Sequence, residues 1–188
     1  MKQLNQFIQE KLRINKNINI DNQYNYHPKD RDELRKIISK KITDQKLNNK
    51  HDEVLNLNDI DTSKIESFNH LFTNLNPLKI DISEWETSKV ELMNGMFDGC
   101  EYLQSTGDLG NWDVSNVTNM SFMFNNCRNL KDIGDLKNWE INGTKMKCAF
   151  QNCKKLKSIG FIEHWRPEEA NWDIFPLCEI KIKPKQRP

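Results

Sequence analysis

Tryptophan recurs in this chain at a nearly fixed interval, and that interval limits what it can fold into. Trp85, Trp112, Trp139 and Trp165 are separated by 27, 27 and 26 residues. A second column, Phe-x-x-Cys, keeps the same period. Phe97–Cys100, Phe124–Cys127, Phe150–Cys153 and Phe175–Cys178 follow one another at 27, 26 and 25 residues. Leu103, Leu130 and Leu156 trail each Cys by three, and Met93, Met120 and Met146 lead each Phe by four. A looser first copy, DIDTSKIESFNHLF over 59–72, has Ile60 at the tryptophan position and Phe72 at the phenylalanine position. Two columns sharing one period mark a repeat architecture, in which a unit buries its apolar face only against its neighbours.

Within a unit, TSKVELMNGMF (87–97) spaces Val90, Met93, Met96 and Phe97 along one helical face. Ser88 with Glu91, like Ser63 with Glu66, matches a capping box. With Ser63, Ser88 and Ser115 as N-caps, the spacing predicts a helix of about two turns per unit. The segment after each Cys, such as LKDIGDLKNW (130–139), is Gly-interrupted and reads as an extended strand plus a turn. LKIDIS (78–83) alternates apolar and polar residues, as a half-buried strand does. A unit of 25–27 residues with one strand and one short helix falls in the size range of leucine-rich repeats. The fold class expected is therefore α/β. It is a leucine-rich-repeat-like parallel solenoid of about four to five repeats over residues 55–178. Trp85, Phe97, Trp112, Phe124, Trp139 and Phe150 form its structural core.

The stretch WDVSNVTNMSFMFNNCRNL (112–130) resembles the repeat of the BspA-like leucine-rich-repeat proteins, also described as a mycoplasma-type domain of unknown function. The family pattern W-D-x-S-x-V-x-x-M-x-x-M-F-x-x-C-x-x-L is matched at every motif position by 112–130. The copy at 85–103 has Glu86 for the Asp, and those at 139–156 and 165–178 are looser, with Gly143 and Thr144 in the Ser-x-Val segment. The resemblance covers roughly 55–178. It implies a repeat fold and, in many members, surface display and adhesion. The lead-in YNYHPKDRDELRKII is similar to that of short BspA-like proteins encoded by gut Bacteroides and their phages.

Residues 1–54 read as a separate helical, basic segment. Leu4, Phe7, Ile8 and Leu12 share one helical face. A second helix starts with Asp30 as N-cap and Glu33 completing a capping box, and carries the stripe Leu34, Ile37, Ile38 and Ile42. Residues 43–54 read as a polar linker. The segment is expected either to cap the open first repeat or to dock a partner through Lys11, Arg13, Lys16, Lys29, Arg31, Arg35, Lys36, Lys40 and Lys41. Residues 179–188, EIKIKPKQRP, read as a basic edge strand and tail blunted by charge and proline.

The formal net charge of +1 hides an asymmetry. Residues 1–50 carry twelve Lys/Arg against six Asp/Glu, and residues 51–178 carry twelve against twenty. A charged partner is therefore compatible with the near-neutral total. The N-terminus lacks a signal-peptide core, and no apolar run approaches the roughly 18 residues of a membrane span. The expected location is cytoplasmic or virion-associated, with no membrane insertion.

No catalytic signature is present, and no enzyme activity is expected. The four histidines share no column, and no phosphate-cradling Gly-rich loop occurs. The cysteines lack the paired spacing of a zinc site and read as small core side chains, so no metal and no cofactor are expected. The partner expected is another protein, with nucleic acid only through the basic N-terminal segment. The function expected is a non-enzymatic protein-binding module, or alternatively a structural component of an assembly such as a bacteriophage virion. The candidate partner-binding residues are Asp61, Glu86, Asp113 and Glu140, which directly follow the Ile60/Trp position. As a column of like charges they are expected either to bond backbone N–H groups of their own turns or to face a basic partner.

Overall fold

The computed structural model describes residues 24–177, apart from 51, 161, 169 and 170. The expected helix around Leu4–Leu12, Cys178 and the tail 179–188 lie outside the described residues. Among the described residues the longest element is α1, Arg31–Leu47. Its start follows from chemistry at 30–33: the Asp30 carboxylate accepts the N–H groups of Asp32 and Glu33, while Glu33 accepts that of Lys29. Its end follows from Asn49, whose φ of 56° places it in the left-handed region. There the N–H of Asn49 bonds Lys46 O and that of Lys50 bonds Gln45 O, closing a Schellman turn. Helix α1 thus takes in residues 43–47, which read as part of a linker. Its stripe Leu34, Ile38 and Ile42 is buried in one continuous core with the first copy.

The other described residues have little regular secondary structure. β1 (Leu55–Asn56) pairs in parallel with β2 (Ile80–Asp81). A 3₁₀ turn covers Leu136–Asn138, and α2 covers Asn171–Ile174. The other contacts of strand type are isolated parallel bridges, such as Ser67 with Leu92, Leu92 with Asn119 and Asn119 with Lys145.

This corrects the expected fold class. Among the described residues there are no strand-plus-helix repeats, so the leucine-rich-repeat-like solenoid of four to five units is not what the chain forms. The reason lies in the backbone. Each segment expected as a short helix contains residues in the left-handed region: Gly95 and Gly99, Phe122 and Asn126, Cys148 and Asn152. A left-handed residue every fourth position stops an α-helix from propagating. Alternate N–H groups therefore turn outward to the next copy instead of to residue i−4. Those of Met93, Gly95, Phe97 and Gly99 bond the carbonyls of Asn119, Ser121, Met123 and Asn125. The N–H groups between them close tight turns within the copy, as from Met96 to Met93 O and from Asp98 to Gly95 O. Ser88 and Ser115 accordingly cap no helix.

Copies of the sequence repeat lie side by side through these bonds, and equivalent side chains meet. Phe72, Phe97, Phe124, Phe150 and Phe175 stack face to face with ring centroids 4.7, 5.0, 5.4 and 5.1 Å apart. Trp85 stacks on Trp112 at 6.4 Å and Trp139 on Trp165 at 6.2 Å. The indole N–H groups of Trp85, Trp112 and Trp139 donate to the carbonyls of Leu57, Ile82 and Leu109 in the preceding copy. Trp85, Phe97, Trp112, Phe124, Trp139 and Phe150 are all buried. Buried Trp165 alone among these indoles has an unpaired N–H.

The direction of the backbone bonds leaves the first copy with carbonyls that no earlier copy can satisfy. Arg31 donates to Asn69 O, and Arg35 donates to the carbonyls of His70, Leu71 and Thr73. By the repeat register, Asn69 and Leu71 are equivalent to Asn94 and Met96, whose carbonyls accept N–H groups from residues 70 and 72. The guanidinium groups of α1 therefore replace the amides of an absent neighbour, with the fork geometry that arginine supplies.

Two outcomes follow for urea denaturation of the full chain. Phe124→Ala removes a ring held between two others and should cost about 3–5 kcal/mol. It should also weaken the flanking copies, which rest on it. Arg35→Ala should cost about 1.5–3 kcal/mol, the range for charge-assisted bonds. Arg35→Lys, which keeps charge but not the fork, should recover only part of that loss.

Candidate functional site

The residues after the tryptophan position occupy surface turns. The Asp61 carboxylate accepts the Ser63 N–H at 3.0 Å and faces His27 Nδ1 at 3.3 Å. Glu86 accepts the Ser88 N–H at 2.9 Å. Asp113 accepts both the N–H and the hydroxyl of Ser115, at 3.0 and 2.7 Å. Each carboxylate thus folds over its own turn two residues ahead, which side chains of this length do readily. Glu140 is exposed and bonds no described side chain; Asn142 stands where its neighbours have Ser.

These bonds set the charge state. Burial pushes the Asp61 carboxyl up, but the Ser63 hydroxyl and N–H and the His27 ring together outweigh it, so its pKa lies below the ordinary value. Glu86 is lowered first by the Ser88 N–H, against burial and the neighbouring Asp113 charge. Asp113 is lowered by the Ser115 hydroxyl and N–H. The repulsion between adjacent carboxylates is present and is smaller than the turn bonds that hold them ionised.

A second acidic column, unnoticed in the sequence, runs beside the first. Asp81 accepts the N–H and hydroxyl of Ser83, Asp108 the N–H of Gly110, and Asp135 the N–H of Lys137. Burial raises the Asp81 carboxyl, but the Ser83 bonds prevail and lower it. Each of these Asp side chains leans onto a glycine of the next copy: Gly107, Gly134 and Gly160. At Gly134, with φ 84°, a Cβ would collide with the Asp108 carboxylate. The signal was the recurrence of those glycines 27 and 26 residues apart. Segments 79–86, 105–113 and 132–140 together carry eight carboxylates against two lysines, forming one acidic edge.

Three of the described thiols are committed elsewhere, and the fourth, Cys148, is a partly buried free thiol. The thiols of Cys100, Cys127 and Cys153 donate to the carbonyls of Phe72, Phe97 and Phe124 in the preceding copy. Burial pushes the Cys100 pKa up to about 12 and that of Cys127 well above its ordinary value, so neither is a nucleophile at neutral pH. His27 faces Asp61, His70 covers Gly95, and His164 Nε2 lies 3.0 Å from Trp139 O; the three do not converge. Among the described residues no three His, Cys, Asp or Glu side chains gather as metal ligands would. No helix among them is long and apolar enough to cross a membrane. Of the basic N-terminal side chains, Arg31 and Arg35 bond the first copy, Lys40 pairs with Asp44, and Lys41 pairs with Asp59. Lys11, Arg13 and Lys16 lie outside the described residues.

The carboxylates carry a pH signature. A depressed folded-state pKa contributes stability that is present above the unfolded value, about 3.9 for Asp, and lost as pH falls through the folded value. The melting midpoint should hold from neutral pH to about pH 4 and drop below it. Asp113→Asn keeps an oxygen acceptor for Ser115 but cannot titrate, so thermal melts should show a shallower acid drop. An unchanged acid drop would remove Asp113 from this account.

A family model described as Mycoplasma protein of unknown function, DUF285, matches residues 41–165. No curated relative and no solved structure matches the chain.

Proposed function

The chain belongs to that family of unknown function, and on this premise we propose that it is a non-enzymatic module that binds another protein through its acidic edge. The observation that carries the reading is the set of carboxylates at Asp61, Glu86 and Asp113, held ionised and oriented by their own turns. A partner with basic side chains meets charges already in place, so little ordering cost falls on this side of the contact. The non-enzymatic part of the reading is supported by where the reactive groups go. Cys100 and Cys127 are buried and bonded to carbonyls, and the tryptophans that could build a ligand cage fill the core.

An alternative is a structural component of a larger assembly, such as a bacteriophage virion, attached through the N-terminal segment. It has less support, because Arg31, Arg35 and Lys41 of that segment are already engaged within the chain.

The test is to purify the full chain from its own cell with what adheres, and then to compare wild type with the Glu84→Gln, Glu140→Gln variant. Both side chains are exposed on the acidic edge, and neither holds a turn. The expected result is an unchanged melting temperature, a severalfold weaker complex and a flatter salt dependence. A complex that forms equally well with the variant, with no response to salt, would overturn the acidic-edge reading.

A further inference from the structure

The sequence changes sign along one side of the molecule. Residues 87–103 carry Glu91, Asp98 and Glu101 against Lys89, and residues 114–130 carry only Arg128. The next equivalent stretch and its continuation, 141–160, hold five lysines and no acid. Lys145, Lys147, Lys154, Lys155 and Lys157 are all exposed.

The repeat register orders these cations. Lys154 occupies the position of Arg128, and Lys157 that of Lys131, one copy on. Lys155 reaches back to Asn129 at 2.6 Å, which fixes the two copies edge to edge here. Arg128 has a loose partner in Glu101 at 3.8 Å. Lys131, Lys154 and Lys157 form no ion pair with a described residue. Stacking like charges at the spacing of neighbouring copies is unfavourable unless something neutralises them.

From these observations we propose that this lysine-rich edge docks onto the acidic edge of a second copy of the chain. The proposal rests on the reading of the acidic edge as a binding surface, and it names the partner. Two features favour a second copy. The first is charge: the chain itself carries the complementary surface, at Glu86, Asp113 and Glu140 and the aspartates beside them. The second is pitch. Both edges are built on the same succession of copies, whose rings repeat every 4.7 to 5.4 Å. Arg128 with Lys154 and Lys131 with Lys157 are two cation rungs one copy apart, so two carboxylate–cation pairs can close at once at that interval. An unrelated acidic segment has no such built-in match. The two edges use different residues, so the contact either closes by using both at once around a two-fold axis or extends into a row.

The full chain at rising concentration, followed by light scattering after size exclusion, tests this directly. At about 50 mM salt the mass should exceed the 22.3 kDa of one chain, and at about 500 mM it should fall back to it. Lys154→Glu with Lys157→Glu should be monomeric at low salt, and so should Glu84→Lys with Glu140→Lys. Mixing the two variants should restore the larger species, because each then offers what the other lacks. Thermal melts check that both remain folded, and restoration on mixing cannot come from unfolded chains. A wild type that stays at 22.3 kDa at low salt overturns the inference, as does association that survives in the Lys154→Glu, Lys157→Glu variant. So does a monomer whose lysine edge instead retains a single-stranded oligonucleotide. In each of these cases, salt-sensitive capture of a different basic protein by the acidic edge would leave the proposed function standing.

Discussion

The backbone bonds between neighbouring copies are the interaction on which everything else in this protein depends. They exist because residues such as Gly95, Phe122 and Cys148 adopt the left-handed conformation and turn alternate N–H groups out of the local turn. Once those groups point outward, they must find carbonyls, because unpaired buried amides are costly. The next copy supplies them, and the copies are drawn to the spacing at which equivalent phenylalanines touch. Helix-like propensity within a copy is overridden, since no run of right-handed residues is long enough to use it.

This arrangement has an end problem, and α1 answers it. The segment 93–99 and its equivalents donate to the following copy, which leaves open acceptors over 69–73 in the first. Arg31 and Arg35 fill them from a helix whose apolar stripe is buried against the same copy. Of the basic charge that suggests a docking arm, Arg31, Arg35 and Lys41 are thus spent on the chain's own carbonyls and on Asp59. The side chains of Lys29 and Lys36 bond no carbonyl or carboxylate among the described residues, and Lys40 pairs with Asp44 of its own helix.

Side-by-side repetition also decides which residues a column tolerates. Apolar rings gain by stacking, and the thiol of Cys127 gains both burial and a carbonyl acceptor. Amides bridge copies, as Asn125 does to Asp98 and Asn152 to Asn126, which accounts for part of the chain's abundance of Asn. Left-handed positions such as Asn126 and Asn152 account for more of it. Carboxylates repel one another in such a column, and they persist where each has a turn N–H of its own. The acidic edge is therefore a by-product of turn chemistry that is available for recognition.

The repeat period, the identity of the core columns and the start of α1 were legible in the sequence, because side-chain burial and capping leave periodic marks in residue type. The turn bonds of the carboxylates were legible as one of two options, since a Ser two residues on is a visible partner for Asp61, Glu86 and Asp113. The conformation of each unit was not. Val90, Met93, Met96 and Phe97 have the spacing of a helix, and a succession of tight turns can bury the same four. The column His70, Gly95, Phe122, Cys148 has no chemical type in common, because what its members share is a left-handed backbone angle. The reach of Arg35 across 36 residues to the carbonyl of Leu71 left no mark either. Backbone hydrogen-bond partners are chosen among all amides that the folded chain brings near, and every residue type offers the same donor and acceptor. Side-chain pattern determined what would be buried; only the tertiary structure decided where the peptide groups would point.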